Sequence, residues 1–300
     1  MAISRGQLVK ELEPGLNALF GSEYKNYANE HAEIFDTENS DRAFEEEVML
    51  SGFANAPIKA EGTSVSFDNA QETYTSRYTH ETLALAFAIT EEAIEDNLYD
   101  RLASRYTKAL ARSMANTKQV KAANVLNNAF GTANGGDGKA LCADDHPIVS
   151  GTEQNELSTA ADLNETSLEQ ALIDIAAMTD ERGLKIAAQG TKLIIPSALQ
   201  FTAERLMKSA GRTGTADNDI NAVVSKGMIP QGYTVNHYLT DTDAFFIKTD
   251  VPNGLKHFVR APMKTAMEGD FTTGNVRYKA RERYSFGFSD WRGIFGSPGA

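Results

Sequence analysis

One uninterrupted stretch, residues 90–130, most strongly limits how this chain can fold. It contains neither proline nor glycine, and its apolar residues recur at steps of three and four, as one face of an amphipathic helix requires. Thr90 is a suitable N-cap, and Gly131 is a suitable residue just past the end. The apolar positions are Ile94, Leu98, Leu102, Tyr106, Ala109, Leu110 and Met114, with a weaker continuation through Val120, Val125 and Leu126. A helix of about 40 residues is roughly 60 Å long, which favours a flat, extended domain.

The composition describes a packed, acidic protein. Of its 300 residues, 41% are hydrophobic and 23% charged, and the formal net charge is −12. These values are typical of globular domains, and the negative charge disfavours non-specific binding of nucleic acid by the whole surface. The single cysteine, Cys142, excludes an intrachain disulfide and predicts a reducing compartment. No apolar stretch is long enough for a membrane span, and the N-terminus lacks an apolar signal core.

The first 89 residues predict segments that need a partner. Residues 1–45 are interpreted as an arm, with a leucine-rich helix that Pro14 bends or divides, followed by an acidic, extended part. Residues 46–89 predict a long hairpin, whose last part alternates apolar and polar residues as a half-buried strand does. Its middle is small, polar and rich in turns. Because isolated hairpins are marginal in water, we expect the partner to lie on another chain.

Residues 165–255 predict a compact α/β unit. A helix from about Ser167 to Arg182, closed by Gly183, precedes a short buried strand, "TKLIIP". A further helix then begins at Ser197, and two strands follow, "YTVNHYL" and "AFFIK", joined by the turn sequence "TDTD".

A long strand near the C-terminus, within "NVRYKARERYSFGF", has one packed face and one basic face. Apolar residues alternate with four cations, as a strand buried on one side requires. The cations are Arg277, Lys279, Arg281 and Arg283. Glu282 interrupts the packed face, and the sequence offers no reason for it.

A second row of cations lies on the long helix, at steps of four, three and four, so that its members share one face. These cations are Arg101, Arg105, Lys108 and Arg112. Each row has two interpretations: a solvated face with local ion pairs, or a surface for another subunit or for packed nucleic acid. The acidic residues Glu45, Glu46 and Glu47 are a natural counterpart for either row.

The segment "CADDHP", residues 142–147, is the best candidate for a chemical site. Asp144, Asp145 and His146 suit a metal ion, or a carboxylate that orients His146 as a base. The alternative is a solvated loop that ends at a proline, and the scattered positions of the other histidines favour it. The stretch "GTANGGDGK" lacks the spacing of a phosphate-binding loop. Neither a nucleophile elbow nor a catalytic triad is visible, so enzymatic activity has little support.

The order of these elements resembles the major capsid protein of tailed double-stranded DNA phages, and within it the Mu-like major head subunit family. Long segments carry the resemblance: "DGKALCADDHP", "SLEQALIDIAAMTDERGLKI", "TKLIIPSALQFTAERLMKS", "TADNDINAV", "GYTVNHYLTDTDAFFIKTDVPNGLKHFVRAP" and "GDFTTGNVRYKARERYSFGFSDWRGIFGSPGA". They cover the chain most strongly from about residue 137 to the end.

The resemblance implies an α+β protein with the Hong-Kong-97-like capsid fold. The implied parts are an N-terminal arm (1–45), an extended hairpin loop (46–89), a peripheral domain (90–164) with a spine helix (90–130), an axial domain (165–255) and the terminal strands of the peripheral domain (256–300). The hairpin and the arm would reach over neighbouring subunits. "CADDHP" would be a structural loop, and no metal or cofactor is expected.

The implied function is self-assembly, as pentamers and hexamers, into an icosahedral shell around a double-stranded DNA genome. Scaffold, portal and decoration proteins are expected partners, with assembly in the bacterial cytoplasm. Lys59, near the loop tip, is a candidate contact, although no crosslinking motif accompanies it. The alternatives are a nanocompartment of the encapsulin type and, more remotely, a metal-dependent hydrolase built on Asp144, Asp145 and His146.

Overall fold

The computed structural model describes residues 5–95, 99–132, 135–211, 219–270 and 272–300. The described helices are α1 (Arg5–Asn26), α2 (Glu91–Glu95), α3 (Tyr99–Asn127), α4 (Glu165–Ala177), α5 (Gln200–Lys208) and α6 (Ala222–Lys226). The described strands are β1 (Asp36–Asn39), β2 (Phe44–Leu50), β3 (Glu72–Thr79), β4 (Glu81–Ile89), β5 (His146–Ile148), β6 (Gly151–Glu153), β7 (Gly190–Ile195), β8 (Tyr233–Val235), β9 (Phe245–Thr249), β10 (Leu255–Gly269), β11 (Val276–Phe288) and β12 (Ile294–Ser297). None of these helices is long and apolar enough to cross a membrane.

A four-stranded sheet and two helices form the first unit. The strand order is β1-β10-β11-β4, with β1 parallel to β10 and the other pairs antiparallel. Helix α3 packs on one face of this sheet, and α1 packs on α3. The predicted extended part of the arm therefore becomes ordered in part as β1, through hydrogen bonds to β10 of the same chain.

Helix α1 runs through Pro14 without dividing, contrary to the expectation from the sequence. Leu16 and Phe20 lie just beyond the proline and are buried, at 4% and 3% exposure, in the core formed with α3 and β11. Most helical stability in proteins comes from packing an apolar face, and we attribute the survival of the helix to this packing. The described side chains of the arm thus pack on their own subunit.

The long helix is present as α3, and it ends at Asn127 rather than at residue 130. Residues 96–98, which separate it from α2, lie outside the described residues, as do the side chains of Ile94 and Leu102. The buried stripe of α3 differs from the predicted one. Tyr106 is 50% exposed, whereas the buried side chains of α3 are largely alanines together with larger apolar residues. These are Ala103, Leu110, Ala111, Met114, Ala122, Ala123 and Leu126. The predicted stripe was built mainly from large apolar residues. A face made largely of alanines is harder to find in this way, although alanine permits close packing.

The predicted alternation of β11 is confirmed from Val276 to Tyr284, beyond which Ser285 is also buried and Phe286 is half-buried. Val276, Tyr278, Ala280 and Tyr284 are buried, and the cations between them are exposed or half-buried. Glu282 is also buried, and it accepts a hydrogen bond from Tyr24 (3.3 Å) and pairs with Lys118 (3.5 Å). The carboxylate on the packed face is therefore a polar link between β11, α1 and α3.

The hairpin of the structure consists of β2 and β3, which pair antiparallel with a register shift between Val48 and Leu50. Residues 51–71 connect them without regular secondary structure. Strand β4 was predicted as part of the hairpin, but it pairs with β11. Its side chains therefore belong to the four-stranded sheet.

The second unit is a four-stranded sheet of order β12-β9-β7-β8 with α4 and α5 packed on it. Helix α4 begins earlier and ends earlier than predicted. Asn164 and Ser167 form a reciprocal capping box at its start, and the chain turns after Ala177, where Thr179 bridges Lys185. The predicted strands β8 and β9 flank β7 on opposite sides. Strand β12, from the predicted terminal part of the peripheral domain, joins this sheet through β9.

Candidate functional site

The "CADDHP" segment is part of the core. His146 is completely buried, its Nδ1 lies 2.6 Å from Asp137 Oδ2, and its ring stacks on Trp291 with centroids 4.2 Å apart. Asp144 and Asp145 are exposed, and Asp145 pairs with Lys139. The two aspartates therefore do not orient His146. Among the residues that the structure describes, no group of three or more metal-binding side chains occurs.

Asn155 fixes the hydrogen bonding of this histidine. Its side-chain Nδ2 donates to the carbonyls of Leu141, Trp291 and Ile294, so its Oδ1 faces His146 Nε2 at 3.1 Å. Both ring nitrogens of His146 thus lie within hydrogen-bond distance of a side-chain oxygen. Burial raises the pKa of Asp137, but the hydrogen bonds from His146 and from the backbone N–H of Lys139, together with smaller contributions, outweigh it, and the pKa is lowered overall. The cluster joins the loop to the C-terminal segment and leaves no access for a substrate.

The hairpin carries an unusual number of exposed apolar side chains. Ile58 and Phe67 are almost fully exposed, at 101% and 96%. Leu50, Phe53 and Val65 are exposed by 60% or more. A turn with Gly62 at a φ of 77° closes the loop, and exposed Lys59 stands beside it. Several large apolar side chains exposed on one segment are typical of an interaction site.

The hairpin is also acidic, with six Asp or Glu residues and two Lys or Arg residues between positions 44 and 79. The three glutamates predicted as counterparts of a basic row are engaged within the chain. Glu45 accepts from Ser40 (2.6 Å), Glu46 pairs with Arg77 (3.7 Å), and Glu47 pairs with Lys256. Glu45 and Glu47 fix the hairpin to its own subunit, and Glu46 joins the two strands of the hairpin, so all three are engaged within the chain.

Two further contacts hold the base of the hairpin on the four-stranded sheet. His80 lies between Ser40 (2.8 Å) and Ser285 (3.0 Å), and Tyr78 bonds to Ser289 and packs on Gly287. Burial lowers the pKa of His80, and the nearby Arg283 lowers it further. Positions 285 and 287 share a strand face with the four cations at positions 277, 279, 281 and 283. The hairpin base therefore covers one end of the face whose other end carries the basic row.

The uncovered end of this face, which we call the basic sheet face, is formed by β10, β11 and β4. Arg277 pairs with Asp270, whereas Lys279 and Arg281 have no ion-pair partner in the described part of the chain. Ala86 and Ala84 of β4 lie opposite them, and Lys264 of β10 lies opposite Arg281. The small residues of β4 are exposed, so the cations stand on a flat, accessible surface.

The cations of α3 lie on the other side of this unit, because α3 packs on the opposite face of the sheet. Arg105 and Lys108 are exposed and, within the described ranges, unpaired. Arg112 pairs with Glu23 of α1 at 3.0 Å. The side chain of Arg101 lies outside the described residues. We call the surface around Arg105, Lys108 and Arg112 the spine face.

The described part of the chain combines an exposed hairpin, a long helix and two four-stranded sheets, and the histidine of its candidate chemical site is buried in the core. The model of the phage capsid protein family matches residues 72–296. The chain belongs to the phage capsid protein family. It is a major capsid shell protein of the virion and a structural protein rather than an enzyme, so the hydrolase alternative was wrong. The Mu-like subfamily stays a prediction.

Solved capsid structures share the fold. The virus-like particle from Pyrococcus furiosus is 11% identical over 94% of this chain and 97% of that chain, with a TM-score of 0.55. The capsid of an empty GTA particle is 14% identical over 90% of both chains, with a TM-score of 0.57. The capsid of Myoviridae phage XM1 is 9% identical over 89% of both chains, with a TM-score of 0.52. No curated protein sequence matches at a significant level. These likenesses support the predicted Hong-Kong-97-like fold, and the family match gives no support to the nanocompartment alternative.

Proposed function

We propose that the shell is held together by the hairpin of one copy lying on the basic sheet face of the next copy, within pentamers and hexamers. Charge complementarity carries this proposal. Glu61 and Glu72 of the hairpin are exposed and have no ion-pair partner among the described residues, and the facing strands of the sheet present Lys279, Arg281 and Lys264, which are likewise unpaired there. Complementary potentials orient subunits and fix their register.

The positions of the two surfaces within the subunit favour the same contact. The hairpin base lies on the 285–289 end of β11, so the hairpin and the basic sheet face are on one side of the subunit. In a ring of identical copies related by rotation about one axis, equivalent surfaces of all copies lie at the same height along that axis. The hairpin of one copy can therefore cover the bare face of the next.

The exposed apolar side chains supply the remaining affinity. Ile58 and Phe67 bury nothing within their own subunit, and burial against a second copy removes their surface from water. Lys59 is placed to add a polar contact at the rim of this interface. Many modest contacts of this kind, repeated over a closed shell, give high stability through multivalency.

The cargo in this proposal is a double-stranded DNA genome, with scaffold and portal proteins as assembly partners in the host cytoplasm and decoration proteins on the finished shell. The net charge of −12 suits a container that must not adsorb its DNA over the whole wall. Any contact with DNA is then confined to local basic surfaces.

Electron microscopy of the purified chain carrying Ile58→Asp and Phe67→Asp tests the hairpin contact. Both side chains are exposed in the subunit, so the substitutions should leave its unfolding transition unchanged. They should abolish shells, because they place two charges in an apolar interface. Val149→Asp makes the same change at an exposed apolar residue outside the hairpin and should allow assembly. Normal shells from the double variant would refute the hairpin contact.

A further inference from the structure

Most of helix α3 and the loop that follows it lack acidic residues, which is unusual in so acidic a chain. Residues 101–136 contain six Lys or Arg residues and no Asp or Glu. A solvated helix face that is balanced by local ion pairs normally mixes both signs of charge. The absence of carboxylates over about seven helical turns of α3 and the loop that follows it therefore indicates a surface kept positive for an anionic partner.

Three of these cations are neutralised by other parts of the chain. Lys118 pairs with Glu282, Lys121 with Glu81, and Arg112 with Glu23. Arg105 and Lys108 remain exposed, one helical turn apart. They are the cations of the described spine face that are free to bind an external anion.

We propose that the spine face contacts the phosphate backbone of the packaged double-stranded DNA. This inference rests on the proposed assembly. The hairpin of a second copy covers the basic sheet face, and the spine face lies on the opposite side of the same unit. A wall one subunit thick has a single inner side, so the genome meets one of the two faces. Assembly neutralises the sheet cations and leaves Arg105 and Lys108 available.

The chemistry of this face suits contact without sequence selection. Arginine and lysine bind phosphate oxygens through charge-assisted hydrogen bonds and do not require access to base edges. Such contacts release counterions, so they weaken as the salt concentration rises. Two cations in each subunit, repeated over the shell, would order the outermost layer of DNA without binding it tightly.

Photo-crosslinking in DNA-filled particles tests which of the two faces contacts DNA and which contacts a second copy of the chain. A diazirine-bearing amino acid is placed at Ala109, beside Lys108, or at Ala86, opposite Lys279. Both alanines are exposed, so neither replacement disturbs the core. Irradiation should give DNA adducts from position 109. Position 86 should give adducts with a second copy of the chain.

The outcomes distinguish this inference from the proposed assembly. DNA adducts from position 86 and none from 109 would overturn the inference, as would protein adducts alone from 109. Absence of protein adducts from position 86, with DNA adducts from 109, would contradict the hairpin contact and leave the DNA contact standing. DNA adducts from both positions would contradict the hairpin contact, because position 86 would then be open to the genome, and would leave the DNA contact of the spine face standing.

A matched pair of charge variants gives a second measurement. Arg105→Gln with Lys108→Gln and Lys279→Gln with Arg281→Gln each remove two positive charges. Binding of a DNA duplex to assembly intermediates, in which the sheet face is already covered, is measured against salt concentration. Loss of two phosphate contacts should reduce the slope of log K against log salt by about 1.8. The spine variant should show this reduction and the sheet variant should not. An unchanged slope in the spine variant would overturn the inference.

Discussion

Replacing Lys118 by methionine should make the stability of the subunit depend strongly on pH. Lys118 is 15% exposed and lies 3.5 Å from the carboxylate of Glu282, which is 2% exposed. Burial raises the pKa of Glu282, and Lys118 and the hydroxyl of Tyr24 offset only part of this shift. Methionine keeps the length of the side chain and removes its charge, so the variant leaves a buried carboxylate with only the tyrosine as a partner.

Protonation of Glu282 sets an upper limit on the loss of unfolding free energy. Removing one partner of a buried pair typically costs about 3–5 kcal/mol. A carboxyl with an ordinary pKa of 4.5 can instead take up a proton, which at pH 7 costs about 3.4 kcal/mol. The raised pKa of Glu282 means that the wild-type protein already carries part of this cost, so we expect Lys118→Met to lower the free energy of unfolding by at most about 3 kcal/mol at pH 7. At pH 5 the same limit is about 0.7 kcal/mol.

The sign follows from linkage. A carboxyl whose pKa is raised on folding destabilises the folded state above that pKa, and the penalty disappears as the pH falls toward the unfolded value. Denaturant titrations of the unassembled subunit at pH 7 and pH 5 measure both values. Adding Glu282→Gln should restore most of the loss at pH 7, since the amide keeps an acceptor for Tyr24. A loss independent of pH, or no rescue by the second substitution, would show that Lys118 acts through packing.

Three further predictions concern acid stability, the hairpin base and backbone packing. Burial lowers the pKa of His257 to about 3, so stability present above its ordinary pKa of 6.5 is lost as the pH falls toward the folded value. His257→Phe should reduce the acid slope of the free energy of unfolding by about 1.4 kcal/mol per pH unit in equilibrium titrations. Lys256→Met removes the ion-pair partner of Glu38 in the arm and Glu47 in the hairpin, so hydrogen exchange of β2 and β3 should accelerate. Lys264 is exposed, and Lys264→Met should leave the exchange unchanged. In Gly254→Ala the new Cβ would lie 2.8 Å from a backbone Cα, and thermal unfolding should show a loss of about 1–3 kcal/mol. Gly269→Ala meets no neighbouring atom and should change stability by less than about 0.5 kcal/mol.

Local patterns of the sequence determined the regular elements of this protein. The absence of proline and glycine predicted α3, and strict alternation predicted β11 from Val276 to Phe288. Both signals are local, because the period of side-chain burial is a property of the helix or strand itself. The same reasoning predicted that the segment after β2 is not stable alone, and its side chains are exposed in the subunit.

The tertiary structure decided which remote groups meet. The partners of Glu282 come from α1 and α3, and the partner of His146 is Asp137 rather than its neighbouring aspartates. Strand β4 pairs with β11, and β12 joins the sheet of the second unit. Local periodicity indicates that a residue is buried and carries no information on what is buried against it. The separation of the two basic rows onto opposite sides of one unit follows from these long-range pairings, and the proposed roles of the two rows rest on it.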